Sequence, residues 1–169
     1  MEPNRLTRAL RHGWAGIAGW RPVLAEHELA EIEASIAAGE QRHKAEIRVV
    51  IERALPPLAI WRRELSPRER ALEVFAELHV WDTAANNGVL LYVSMADRQV
   101  EILADRGALA AVSAQVWSTA CDAIGKGAAS GKLTAGMLDG LQILNDALAG
   151  AFPGDGSDPN ELRDRPLVR

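Results

Sequence analysis

Cysteine is nearly absent from this sequence: the single Cys121 has no intramolecular disulfide partner and no companion thiol for a zinc cluster. That favours a reducing compartment and a buried, inert thiol. Long apolar runs are also missing. No stretch approaches the about 18 residues of a spanning helix. The N-terminus lacks the apolar centre of a secretory signal, because Arg5, Arg8 and Arg11 interrupt it and residues 13–20 are short and glycine-broken. Nor is there an excess of basic charge: 19 Lys and Arg stand against 23 Asp and Glu, for a net charge of −4. A chain without a basic field has no electrostatic support for binding nucleic-acid phosphates. These absences predict a cytoplasmic protein that binds no nucleic acid, peripheral at a membrane only through its first residues.

Several catalytic signatures are missing too. His12, His27, His43 and His79 are dispersed singly, without the paired spacing of a zinc site or a metalloprotease helix. His43 and His79 fall near predicted helix ends, where contact with the helix dipole accounts for them. The glycines of residues 125–131 lack the spacing and the preceding strand of a phosphate loop, and no Gly-x-Ser-x-Gly elbow occurs. Nucleotide hydrolysis and serine-hydrolase chemistry are therefore not expected, and neither is a nucleotide or haem cofactor.

What is present is an ordinary globular composition, 48% hydrophobic and 25% charged, in a chain of one-domain length. Leu29, Ile32 and Ile36 recur at helical spacing within residues 26–43, against Glu28, Glu31, Glu33 and Glu40. Ile47, Val49, Val50 and Ile51 form a β-branched run with little alternation, the pattern of a buried central strand, ended by Pro56 and Pro57. Ser66, Pro67, Arg68 and Glu69 spell a capping box, the sharpest helix start in the chain, with Ala71, Leu72, Phe75 and Leu78 inward as far as Trp81. Residues 88–94 and 99–104 read as two strands joined by the short turn of residues 95–98. Helices are expected over 108–126, with Val112, Val116, Cys121 and Ile124 inward, and over 132–150, with Leu133, Met137, Leu141, Leu144 and Leu148 inward. This order predicts an α/β fold: a small mixed sheet covered by helices, with a right-handed parallel crossover and an antiparallel hairpin. Residues 1–23 form a basic N-terminal segment, 24–153 the α/β domain and 154–169 a polar, proline-broken tail or surface strap.

Two places could carry chemistry. If Ser94 pairs with Gln99, Gly88 falls opposite Asp105, and Asp82, Asn86, Asn87 and Asp105 gather at one end of the sheet. Calcium or magnesium requires such carboxylate and amide oxygens; the alternative is a structural loop whose Asx side chains cap their own turns. At the opposite end, Asp97 and Arg98 in the hairpin turn and Glu52 at the end of the first strand occupy the edge where ligands of open α/β sheets bind, against the plainer reading of a solvated turn.

The N-terminal segment is amphipathic. Leu6, Leu10, Trp14 and Ile17 recur every three or four residues, with Arg5, Arg8 and Arg11 on another face. Such a helix suits an anionic membrane surface or a membrane protein; the alternative is packing on the domain or on a partner subunit, since Gly13, Gly16 and Gly19 each weaken the helix. Trp14, Trp20, Trp61 and Trp81 are candidates for a common surface patch.

With these residues placed, the chain resembles the TPM-domain family, which includes a thylakoid-lumen acid phosphatase of photosystem II repair and many bacterial proteins. The resemblance runs from about Leu24 to Phe152 and is carried by EIRVVIE, SPRERALEVFAELHVWDTAANNGVLLY and MADRQVEILADRG. It implies an α/β/α sandwich, divalent-cation binding, and the weak acid-phosphatase activity associated with the plant branch. The positions carried over are Asp82, Asn86, Asn87 and Gly88 in the loop and Asp97 and Arg98 in the turn. The chain departs from the family pattern at Asp105 and Arg106, where many relatives have glycine, and at Ala108, Ala110 and Ala111, where acidic residues are common. Two functional readings follow: a divalent-cation site supporting slow, phosphatase-like hydrolysis, or a non-catalytic binding domain that meets a membrane protein or membrane surface through its N-terminal helix.

Overall fold

Apolar residues on both sides of a strand demand cover on both sides. Strands β1 (Ile47–Glu52) and β2 (Val89–Ser94) are buried at every position. The computed structural model describes residues 5–17, 22–56, 58, 60, 65–155 and 159–169. Gly19, Trp20, Pro57 and Trp61 lie outside these residues, as do the side chains of Arg5 and Ile17.

β1 and β2 run parallel, Ile47 opposite Val89 and Glu52 opposite Ser94. β3 (Gln99–Ala104) returns antiparallel to β2, and β4 (Leu167–Val168) lies parallel to β1 on its other edge, giving the order β3-β2-β1-β4. Alternate residues divide between two cores. Ile47, Val49, Ile51, Val89, Leu91 and Val93 face one core, which α2 (Glu26–Glu40), α5 (Ala114–Ala129) and α6 (Leu133–Ala151) close with Ile32, Ile36, Ile124, Leu141 and Leu144. Val50, Leu90, Tyr92 and Leu103 face the other, under Ala71 and Val74 of α3 (Pro67–Glu77). The result is an α/β sandwich around a mixed sheet, as expected. α3 starts at the expected cap: Ser66 Oγ accepts from the Glu69 amide, and Glu69 accepts from the Ser66 amide at 2.7 Å. The basic segment is helical as α1 (Arg5–Ile17).

Three boundaries differ from the sequence expectation. The helix expected over 108–126 is two, α4 (Arg106–Ala111) and α5, because Val112 turns extended (φ −112°, ψ 132°) and buries its side chain. Trp117 Nε1 then donates to the Val112 carbonyl at 3.3 Å and ties the break together. α3 ends at Glu77 rather than near Trp81, as His79 adopts φ 54°. α2 ends at Glu40 rather than near His43, which instead bridges to Pro153.

The end of the polar tail is the strap that makes β1 central. Arg169 N–H donates to Ile51 O (3.0 Å) and Arg53 N–H to Arg169 O (2.8 Å). The buried Arg48 donates to the carbonyls of Arg163 and Arg165, both at 2.6 Å. Removing residues 165–169 uncovers the apolar edge of β1 and deletes three of these bonds, leaving only that to Arg163. Each is worth roughly 1 kcal/mol net, so chemical denaturation should register a loss of about 2 kcal/mol or more, with concentration-dependent association through the bared edge. Unchanged stability and a monomeric truncated chain would show that the strap contributes nothing.

Candidate functional site

The loop leaving α3 is shaped by its own polar residues. Asp82 N–H donates to His79 O, Asn86 N–H to Thr83 O (3.1 Å) and Asn87 N–H to Thr83 Oγ1 (3.0 Å). Asn86 takes φ 52°, a left-handed conformation that asparagine tolerates better than most residues. Gly88 passes so close to Val80 that a Cβ there would lie 1.9 Å from the Val80 carbonyl oxygen, so no other residue fits without moving backbone.

The hairpin register has the expected pairs, Ser94 with Gln99 and Val89 with Ala104, and Asp105 N–H donates to Gly88 O at 2.8 Å. The loop is then pinned to α4. The Asn86 carbonyl accepts from Gly107 N–H (2.9 Å) and Ala108 N–H (3.3 Å), and Arg106 Nη2 donates to Asn86 Oδ1 (2.6 Å). Asn86, Asn87 and Asp105 thus meet at one end of the sheet. Asp82, exposed in the preceding turn, is joined to them by no hydrogen bond among the described residues.

Two oxygens here stand out. Asn87 is buried and donates from Nδ2 to Lys44 O, yet its Oδ1 has no hydrogen-bond partner. Asp105 spends Oδ1 on the Arg106 amide (2.7 Å), while its buried Oδ2 also has no partner. Each such acceptor costs about 1–3 kcal/mol if nothing satisfies it. Against a strongly acidic centre, no three His, Cys, Asp or Glu residues among those described converge closely enough to hold a metal ion. Any ion here would depend on amide and backbone oxygens and on water.

The other end of the sheet is closed by the chain's own groups. Asp97 is not solvated in its turn. Arg8 of α1 grips it bidentately, Nε to Oδ1 at 2.6 Å and Nη2 to Oδ2 at 2.8 Å, and donates through Nη1 to Leu65 O. His12 Nε2 lies 3.0 Å from Asp97 Oδ1, while its Nδ1 accepts the Leu55 amide (2.8 Å), so the ring proton belongs on Nε2, facing the carboxylate. Ser94 Oγ donates to Asp97 Oδ2 (3.1 Å). The carboxylate stands between serine and histidine, so His12 is not placed to deprotonate the hydroxyl, and the trio is not a nucleophilic triad. Burial opposes ionisation of Asp97, but hydrogen bonds from Arg8 and from the Nε2 proton of His12, together with the Arg8 charge, outweigh it, and its carboxyl is held below the usual range. Arg98 is exposed at φ 56°.

Beside it, Glu52 accepts Arg70 through both oxygens (2.9 and 3.0 Å) and Tyr92 OH at 2.6 Å, and Arg70 extends to Glu73 and Glu77. Burial and the neighbouring carboxylate push the Tyr92 phenol well above its ordinary value. Sequence reasoning named Asp97 and Glu52 but not Arg8, His12, Arg70 or Tyr92 as their partners. Only the unusual placement of polar residues among apolar neighbours hinted at them.

A model of the TPM domain matches residues 21–147. Among solved structures, the chain is similar to the NMR structure of the BA42 protein from the psychrophilic bacterium Bizionia argentinensis, at 30% identity and a TM-score of 0.78, covering 90% of this chain and 99% of that one. No curated protein matches the chain.

Two pH-dependent outcomes follow from the buried carboxyl groups. Asp97→Asn leaves Arg8 facing a neutral group and should cost about 3 kcal/mol near pH 7. A depressed carboxyl pKa contributes stability that is present above the unfolded value and is lost as pH falls. The difference between variant and wild type should therefore narrow below about pH 4; a gap independent of pH would contradict the assignment. Glu40 is the opposite case: burial, partly offset by the Ile47 amide, pushes its pKa up to about 8. Its contribution turns unfavourable as pH rises from the unfolded value toward 8, so Glu40→Gln should stabilise the protein at pH 8–9 and change little at pH 4.5, as read by thermal unfolding; equal effects at both pH values would contradict the shift.

Proposed function

The chain belongs to the TPM-domain family, and on that premise we propose that it is a divalent-cation-binding domain whose site lies where the 82–88 loop meets Asp105. The supporting observation is the pair of buried oxygens without partners, Asn87 Oδ1 and Asp105 Oδ2. Hard cations such as calcium and magnesium are held by oxygens of this kind, with backbone carbonyls and water completing the shell. Asn87 and Asp105 would hold the ion, with Asp82 as an outer carboxylate. Asn86 Oδ1 is already engaged by Arg106, and Ala108, Ala110 and Ala111 add no charge, so the donor set suits a hydrated, modestly bound ion.

The reaction class that goes with this reading is slow, phosphatase-like hydrolysis of phosphomonoesters. A bound divalent ion supplies polarisation of a phosphoryl oxygen. The chain's part is binding and orientation: exposed Arg106, fixed through Asn86, is the cation beside the loop that would meet a phosphoryl oxygen. A second reading, a binding domain that docks through α1, is favoured by the outward position of Leu6, Leu10 and Trp14.

Calorimetric titration with calcium and with magnesium tests the first reading. Wild type should bind in the micromolar to millimolar range typical of weak sites. Asp105→Asn, which keeps the cap acceptor but removes the charge, should weaken binding about tenfold or more, and Asp82→Ala less. Hydrolysis of p-nitrophenyl phosphate should fall with the same variant and with chelator. No heat at millimolar ion, or an Asp105→Asn isotherm equal to wild type, overturns the site.

A further inference from the structure

An amphipathic helix on a globular domain normally turns its apolar face inward. α1 does the reverse. Leu6, Leu10 and Trp14, one at every fourth position, are 55%, 59% and 76% exposed. The inward side carries Arg8 and His12, fastened to Asp97, Leu65 and Leu55, with Ala9 against the small cluster of Leu55, Ile60 and Leu65. Successive helix positions are about 100° apart, which puts Arg8 and His12 roughly opposite the middle of the apolar stripe. The inversion is held in place: Arg8 is bidentate, and His12 is essentially without exposure.

We propose, resting on the second reading above, that the occupant of this face is the surface of an anionic lipid bilayer, on which α1 lies parallel to the plane. Charge points that way. α1 contains Arg5, Arg8 and Arg11 and no acidic residue, in a chain whose net charge is −4. Arg8 is neutralised by Asp97, but Arg11 flanks the stripe, and Arg98, next to Asp97 in the hairpin turn, is exposed. A tryptophan beside two leucines is the composition of a shallow interfacial contact, with the indole at headgroup level. Area points the same way: three such side chains offer roughly 400 Å², about half of the ~800 Å² per partner found in stable protein interfaces. A second copy of this chain therefore fits the stripe less well than lipid, which needs no matching relief. Because the polar face is already committed to Asp97, α1 is preorganised and need not fold on binding, unlike a free peptide.

Flotation of the full chain with vesicles, together with sedimentation of the same samples without lipid, tests this. Wild type should float with vesicles of phosphatidylcholine containing about a quarter phosphatidylserine and much less with phosphatidylcholine alone. Leu10→Asp, at an exposed position where folding is spared, should cut recovery about tenfold or more, and Trp14→Phe less. Wild type that stays in the dense fraction with both vesicles overturns the lipid assignment. If Leu10→Asp abolishes a concentration-dependent dimer instead, α1 is still a docking face but a second copy is its occupant, and the lipid proposal is wrong. If Leu10→Asp changes neither flotation nor association, the docking reading itself falls.

Discussion

The pairing of β2 with β3 is the constraint from which the rest of the molecule's chemistry follows. With Ser94 opposite Gln99 and Val89 opposite Ala104, one end of the hairpin presents Asp97 and the other brings Asp105 against Gly88. A slip of β3 by one residue would turn Val100 and Ile102 away from the larger core. It would also separate Asp105 from the asparagine loop. Register is thus held by the core and delivers both polar ends at once. Burial of β1 between β2 and β4 supplies the rigid neighbour that leaves the hairpin no alternative pairing.

The two ends have been put to different uses. The carboxyl edge of the parallel strands, where open α/β sheets usually take ligands, is filled by internal partners: Arg8 and His12 on Asp97, Arg70 and Tyr92 on Glu52. Charges this well buried contribute little net stability compared with apolar packing, but losing one partner is costly. They fix where α1 and α3 sit. The amino edge of β2 is where acceptors are left over, at Asn87 and Asp105. Polar groups are consumed at one end and available at the other.

Local patterns were legible in the sequence, and long-range partners were not. The Ser66 cap, the strands, the hairpin turn and the approach of Asp105 to Gly88 follow from spacing and side-chain type within a few residues. The break at Val112 did not, since valine continues the apolar stripe of a helix equally well and only burial in the core turns it extended. Leu167 and Val168 are too short a run to announce β4, which exists because β1 has an edge to cover. The amphipathicity of α1 showed which side was apolar. Which side docks depended on Asp97, 89 positions from Arg8 in the chain. The same applies to the loop: the residue types could be read off, but the orphaned oxygens depend on Lys44 and Arg106 taking the other atoms of Asn87 and Asp105.

The most direct test of the hairpin's governing role is the scalar coupling transmitted across its terminal hydrogen bond in isotope-labelled protein. With Asp105 N–H bonded to the Gly88 carbonyl, a coupling from the Asp105 amide nitrogen to the Gly88 carbonyl carbon is expected. A coupling from that nitrogen to the carbonyl of Asn87 or Val89 would mean a shifted ladder, and the shared corner of Asn87 and Asp105 would not exist.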